Sequence, residues 1–390
     1  MNKGKYVFAQ VMSIAHREAF SRCVKRYNGN HRIRTFSCWQ QFLCMSFGQL
    51  THRESLRDTV LCLSSHQDKL YHLGLKQRVK KSTLADANEQ KDWRIYADFA
   101  QVLIRKARRL YRDSALSAIE LDNVVYALDS TTIDLCLNVF WWAKFRKTKA
   151  AIKLHTLLDI KCEIPVFIDI TAAAIHDVNV LDILEFEPKA FYVMDKGYID
   201  FKRLYTLRQA GAFFVIRAKA NLAFRRLYSH SVDKSTGLRC DQTIRLAGHY
   251  SKKYYPKHLR RIKYYDQKHQ KHYVYLTNHF EAPTLQIAIL YINKWKVEIF
   301  FKWMKQHLRI KSFWGESDNA VKTQIWIAIC TFVLVAILKH QHRIQHSMYE
   351  ILQILSVSAF DKTPVNQLFM RQSIQNDENQ LHNQLNLFDL

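Results

Sequence analysis

Acidic side chains are in short supply: 34 Asp and Glu face 59 Lys and Arg in 390 residues, a formal net charge of +25. Such a deficit suits a polyanionic partner, because basic surfaces bind nucleic acid through counterion release, with steep salt dependence. Paired cysteines are missing too. Cys23, Cys38, Cys44, Cys62, Cys136, Cys162, Cys240 and Cys330 include no C-x-x-C pair. That excludes a cysteine zinc site or a disulfide framework and reads as the reduced thiols of an intracellular protein. His155 and His176 have no Cys or second His at zinc spacing. Long apolar runs are absent as well. The longest, Ile325 to Leu338, is 14 residues broken only by Thr331. It is too short to span a bilayer and fits a buried helix. The opening MNKGKYVFAQ holds no signal-peptide core, and no segment repeats internally. The expectation is a cytoplasmic protein with no membrane segment.

What is present is unevenly laid out. Residues 1–112 hold 22 basic and 8 acidic groups, residues 113–216 hold 11 and 14, and residues 217–280 hold 15 and 3. Two basic blocks thus flank a slightly acidic middle, which suits a metal site between DNA-binding surfaces. Residues 1–112 read as an all-helical DNA-binding region. Apolar spacing over 35–50 is helical, Thr51 to Glu54 form a capping-box pattern before SLRDTVLCL, and an amphipathic helix runs from about Asp92 to Arg112. Ser82–Gln90 is the candidate reading helix of a helix-turn-helix.

Residues 113–217 change character. Apolar β-rich runs at 123–129, 153–160 and 164–170 are followed by a helical stretch near 178–186. A run at 191–195, a helix near 200–210 and a run at 212–217 complete the series. Three adjacent strands, then helix, strand, helix, strand, predict the first part of a ribonuclease-H-like α/β catalytic domain. Residues 218–282, basic and rich in tyrosine, predict a β-rich insertion. Residues 283–345 resume as helix and predict the second part of the catalytic domain. Residues 346–390 read as a C-terminal helix and a flexible tail.

Three acids carry the candidate chemistry. Asp129 and Asp195 each close an apolar strand-like run, where a carboxylate is held rigidly at a sheet edge. Glu298 sits in YINKWKVEIFFKWMK, residues 291–305. On a continuous helix, Tyr291, Lys294, Lys302 and Lys305 all fall within about 40° of Glu298. A carboxylate inside a basic stripe suggests a metal-holding acid beside a phosphate backbone. Three hard oxygen donors suit Mg²⁺, with Mn²⁺ as a substitute, and two ions would serve an in-line phosphoryl displacement. Asp134, Asp159, Asp169 and Asp177 read as structural, and Ser130, Thr131 and Thr132 as groups that orient a neighbouring carboxylate.

These motifs resemble the IS-four family of bacterial insertion-sequence DDE transposases. Tyr291, Glu298 and Lys305 stand at three positions of that family's Y-(2)-R-(3)-E-(6)-K signature, with Lys294 at the Arg position. LDSTTIDL around Asp129, HDVNVLD at 176–182 and DKGYIDF from Asp195 are similar to its other motifs. The likeness covers about residues 120–340, and the first ~75 residues look like a small helical domain often fused to such enzymes. The resemblance implies a metal-dependent enzyme that binds terminal inverted repeats. It would cut the element from donor DNA and join its 3′-hydroxyls to target DNA by direct transesterification. It also implies metal ligation by Asp129, Asp195 and Glu298, DNA contact by Tyr291, Lys294 and Lys305, a homodimer that pairs two ends, and action at the bacterial nucleoid; Lys302, on the same wheel sector, is added as a DNA contact from its position alone. Intact acids favour this over a catalytically inactive or domesticated descendant that only binds DNA; a host nuclease of the same fold would be set apart by lacking end-specific binding to an inverted repeat.

Further basic candidates for DNA contact are Arg225, Arg226, Lys252, Lys253, Arg260 and Arg261. One insertion aromatic among Tyr254, Tyr255, Tyr264 and Tyr265 is expected to grip a flipped base by stacking. Gln384, Leu385, Leu387 and Phe388 in QLNLF resemble the pentapeptide that docks bacterial proteins on the sliding clamp.

Overall fold

Helices fill the first hundred residues because apolar side chains recur there every third or fourth position. The computed structural model describes residues 4–112, 123–137, 139–146, 149–307 and 313–370. Its contacts divide the chain into two units, Met1–Ser114 with Trp303–Leu390, and Ala115–Lys302. In the first unit, α1 (Val7–Ser13), α2 (Arg17–Arg26), α3 (Cys38–Leu50), α4 (Leu56–Ser65), α5 (Lys81–Gln90) and α6 (Arg94–Arg112) follow one another. Ser37 caps α3 in a capping box with Gln40. Thr51 does not open α4, contrary to the sequence expectation. It closes α3, and Ser55 caps α4 by accepting from the Asp58 amide. The reason is local: both the Thr51 amide, at 2.9 Å, and its hydroxyl, at 2.8 Å, donate back to Phe47 O, which fixes Thr51 to the end of α3. Phe20, Phe42 and Phe99 form an aromatic nucleus with centroids 5.0–5.5 Å apart. Each such fully buried ring contributes about 1.5–3 kcal/mol.

The second unit is built on a 10-stranded sheet. Its strands are β1 (Val125–Leu135), β2 (Lys144–Arg146), β3 (Lys149–Asp159), β4 (Ile164–Ala172), β5 (Phe191–Met194), β6 (Phe213–Arg217), β7 (Phe224–His230), β8 (Leu238–Leu246), β9 (Leu259–Asp266) and β10 (Lys271–Thr277). The path runs β2-β3-β1-β5-β6-β10-β9-β8-β7, with β4 also paired to β3. β1, β5 and β6 are mutually parallel. Phe191, Tyr192, Val193 and Met194 are all buried, as in parallel strands covered on both faces. Helix α7 (Phe201–Gln209), capped by Asp200, turns Leu204 and Leu207 into a core with Tyr126, Tyr192, Phe214 and Ile216. The basic insertion carries strands that join the main sheet: β10 pairs antiparallel with β6, so β7–β10 extend it. One feature differs from the sequence reading: the helix expected from about 285 to 307 is two helices, α9 (Thr284–Ile292) and α10 (Trp295–His307), with α8 (His249–Tyr254) lying earlier in the insertion. The apolar spacing runs through the break, which is why the sequence hides it.

A buried polar cluster ties the insertion to α9. The Arg260 guanidinium donates to Asp241 at 2.6 and 3.0 Å, to Ala282 O at 2.6 Å and to Thr284 Oγ1 at 2.9 Å. Thr284 in turn donates to Asp241 at 2.7 Å. Contrary to the sequence expectation, Arg260 therefore does not offer its charge to DNA. Its side chain is buried and its donors are taken within the fold.

The first unit continues with α11 (Asp318–Gln341) and α12 (Met348–Ser358). α11 is longer than its apolar run, because polar residues carry the helix on at both ends. Its length and hydropathy would allow a membrane crossing, but the apolar window is 94% buried against α3, α5 and α6. Asn319 fixes its start, donating to Asn88 O at 2.7 Å and Lys91 O at 2.8 Å.

Burial pushes the Asp241 carboxyl up, but hydrogen bonds from Arg260 and Thr284 and the Arg260 charge outweigh it and hold the carboxyl below its ordinary value. The stabilisation is therefore complete above the unfolded value near ~4 and fades as pH falls through the lower folded value. Asp241→Asn leaves a buried guanidinium without its counter-charge. It is expected to cost about 3–5 kcal/mol in urea unfolding at neutral pH.

Candidate active site

The site begins with a register. β1 and β5 pair in parallel from Val125↔Phe191 to Leu128↔Met194. The next residue on each strand is an aspartate, so Asp129 and Asp195 leave the paired segment side by side. Asp129 does not end its strand as the sequence suggested. β1 runs on to Leu135 by pairing with β3, and only its pairing with β5 stops at Leu128. Asp195 caps a single 3-10 turn, accepting from the Lys196 amide at 2.9 Å.

The α9–α10 break brings the remaining residues. Tyr291, in the last turn of α9, donates its hydroxyl to Asp195 Oδ1 at 3.0 Å and packs against the Tyr275 ring. Burial raises the Tyr291 phenol well above the ordinary tyrosine range, and the neighbouring Asp195 charge raises it further. The group is a fixed donor. Lys294 lies at the break with its side chain 7% exposed. Its Nζ is 2.7 Å from Asp129 Oδ2 and 3.8 Å from Glu298 Oε1. Glu298 sits one turn into α10 with its side chain 67% exposed.

The three acids are thus brought to one region, but not onto a common point. Among the described residues no group of three or more His, Cys, Asp or Glu side chains is gathered as for a metal ion. Lys294 joins Asp129 to Glu298, and Tyr291 holds Asp195. The donor set still fits a hard divalent cation: all oxygen, all carboxylate, and already drawn around a cationic group, the Lys294 ammonium.

A second layer backs Asp129. Ser130 donates to Asp177 Oδ1 at 2.8 Å, and Lys153 Nζ lies 3.1 Å from the same atom. His155, opposite Ser130 in the β1–β3 pairing, is buried, donor or acceptor to Thr171 at 2.9 Å, and held below its ordinary pKa chiefly by burial. The buried Tyr198 hydroxyl lies beside Ser130 and makes no hydrogen bond of ordinary geometry among the described residues. Burial raises its pKa, as do the charges of Asp129 and Asp177. Asp177 was read as structural and Tyr198 was not singled out. The HDVNVLD and DKGY motifs contain both, and only the fold brings them to Ser130 and Asp129.

The other sequence candidates are scattered. Lys302 is exposed on α10 and Lys305 is half-buried farther along it. Arg225 and Arg226 are exposed on β7, and Lys252 and Lys253 on α8. Arg261 is half-buried, donating to Gln242 at 2.9 Å. Tyr255 is removed from the base-gripping candidates, being buried against Tyr205 and Phe214. Tyr254 is exposed and stacks on exposed Tyr250 at 6.4 Å. Gln384, Leu385, Leu387 and Phe388 lie outside the described residues.

Comparison with known proteins follows this geometry. Residues 120–334 match the family described as "Transposase DDE domain", and residues 3–76 match "Domain of unknown function (DUF4372)". A putative transposase, y4zB, of Sinorhizobium fredii is 31% identical over 67% of this chain and 72% of its own length. A probable transposase for the element IS5377 of Geobacillus stearothermophilus is 26% identical over 69% and 70%. A putative transposase for the element IS4SA of Synechocystis is 20% identical over 67% and 72%. A piggyBac transposase synaptic complex with hairpin DNA aligns with a TM-score of 0.48 and 10% identity, over 95% of this chain and 82% of that one.

Tyr291→Phe removes a hydrogen bond to a carboxylate, worth about 1.5–3 kcal/mol. Urea unfolding should register that loss. An alkaline ultraviolet difference titration of wild type against the variant should assign to Tyr291 a phenol that ionises above the ordinary range.

Proposed function

The chain belongs to the DDE transposase family, and on that premise we propose that it cuts an insertion sequence from donor DNA and joins its 3′ ends to a target. Asp129, Asp195 and Glu298 are the catalytic acids in this reading. The observation that carries it is the β1–β5 register, which sets Asp129 beside Asp195 under the helix that bears Glu298. The order β4-β3-β1-β5-β6, with the last three parallel, supports a ribonuclease-H-like catalytic core. The Y-(2)-K-(3)-E-(6)-K spacing supports membership of the IS-four group.

The three acids would hold magnesium, or manganese in its place, whose chemistry is Lewis-acid stabilisation of an in-line phosphoryl displacement. The protein's own contribution is placement. Tyr291 orients Asp195 through its hydroxyl, and Ser130 with Asp177 stiffens the backbone beside Asp129. Lys302 and Lys305 extend the basic face of α10 along which a phosphate backbone can lie. Arg225, Arg226, Lys252 and Lys253, with Arg261 behind them, supply sequence-independent phosphate contacts on the insertion. The N-terminal helices take part in binding the terminal inverted repeats. A homodimer satisfies the need to pair two ends, with one active site for each.

Cleavage of a labelled duplex carrying the element's own end, with and without Mg²⁺, tests this reading. Asp129→Asn, Asp195→Asn and Glu298→Gln are each expected to lower cleavage roughly a thousandfold or more. Gel-shift binding of the same duplex should persist and weaken steeply with added salt. Cleavage by Glu298→Gln at the wild-type rate would overturn the assignment.

A further inference from the structure

Lys294 occupies an unusual position for a DNA-contacting lysine. It falls where α9 has ended and α10 has not begun. The Lys294 amide still donates to Tyr291 O at 3.1 Å, and Lys294 O already accepts from Val297 at 3.0 Å. That break turns the side chain inward: Lys294 is buried, while Trp295, Glu298 and Ile299 around it are exposed. Its ammonium sits on Asp129 Oδ2 at 2.7 Å, with Glu298 Oε1 at 3.8 Å. These are the oxygens that the proposed function needs for a divalent cation.

An ammonium and a dication compete for that carboxylate oxygen. The ammonium takes one of the oxygen's two acceptor directions, and the two positive charges repel at such short range. Loading the site therefore favours a Lys294 that moves away. A lysine is suited to this, being a compact charge on a flexible stem with no planar fork to hold it in register. It needs another anion to receive it, since a buried ammonium without a partner is costly. The anion that arrives at this site with substrate is a DNA phosphate.

We propose that Lys294 is an internal counter-ion for Asp129 and Glu298, exchanged for a divalent cation when a DNA phosphate takes over its ammonium. Metal binding and DNA binding are then coupled through one side chain, and each strengthens the other. Without DNA the acids stay neutralised and the cation binds weakly. This inference rests on the active-site reading above.

The test measures Mn²⁺ affinity from the paramagnetic resonance signal of the free ion, using the full chain. Wild type, Lys294→Gln, Lys294→Arg and Asp129→Asn are compared with and without a duplex of the element's end. With the competing ammonium removed, Lys294→Gln without DNA should bind Mn²⁺ roughly tenfold or more tighter than wild type, the size of an ordinary coupling between two ligands of one site. Lys294→Arg, which keeps the charge, should not. The duplex should tighten Mn²⁺ binding by wild type and add little for Lys294→Gln. Equal or weaker binding by folded Lys294→Gln overturns the proposal. If that variant does not fold, wild type decides alone, and an affinity unmoved by the duplex overturns it. Asp129→Asn separates the two readings. Should it leave Mn²⁺ binding unchanged, the active-site assignment itself fails. Should it abolish binding while Lys294→Gln gives no gain, only the role of the lysine fails.

Discussion

Four consecutive pairs between β1 and β5 set everything at the candidate site. Parallel register fixes which residues emerge together, and a slip of one would send one aspartate to the opposite face. The buried runs on either side hold that register. Val125 to Leu128 and Phe191 to Met194 are covered on both faces, so a slip would have to repack the whole core. Rigidity in the apolar strands becomes precision in the acids that follow them.

Above this fixed pair, the helical layer is arranged by polar contacts. Tyr291 reaches one aspartate and Lys294 the other, from either side of the α9–α10 break. A straight helix would have pointed these residues along one stripe, as the wheel suggests. The break lets them address the sheet separately and leaves Glu298 with most of its side chain in solvent. One acid is held by a phenol, one by an ammonium at 2.7 Å, and the third, mostly exposed, faces that same ammonium at 3.8 Å.

Much of this was legible in the residues. Apolar runs that end in a charge identify strands that deliver acids, and FYVMD is such a run with no competing pattern. The acid-bearing helix was legible from its spacing, but its break was not, because Ile292, Trp295 and Ile299 continue the helical period across Asn293 and Lys294. Asp177 was opaque for another reason: its contact with Ser130 joins segments 47 residues apart. Arg260 misled because a basic residue in a basic segment looks solvated. Its partner Asp241 lies on the neighbouring strand, 19 residues earlier, where no local pattern reveals it. Contacts made through register or through a shared counter-charge become visible only once the strands are paired.

The Asp241–Arg260–Thr284 cluster has a bearing on how such a chain can diverge. Two of its members belong to the strands of the insertion and the third opens the helix that delivers Tyr291. A recombinant that exchanged residues 218–282 with those of a relative would carry both charges of the pair together but leave behind the Thr284 hydroxyl that hydrogen-bonds them both, unless the threonine at the junction came too. The segment that looks most like a removable cassette is, in its interior, sewn to the catalytic frame, and it must be inherited with its stitch.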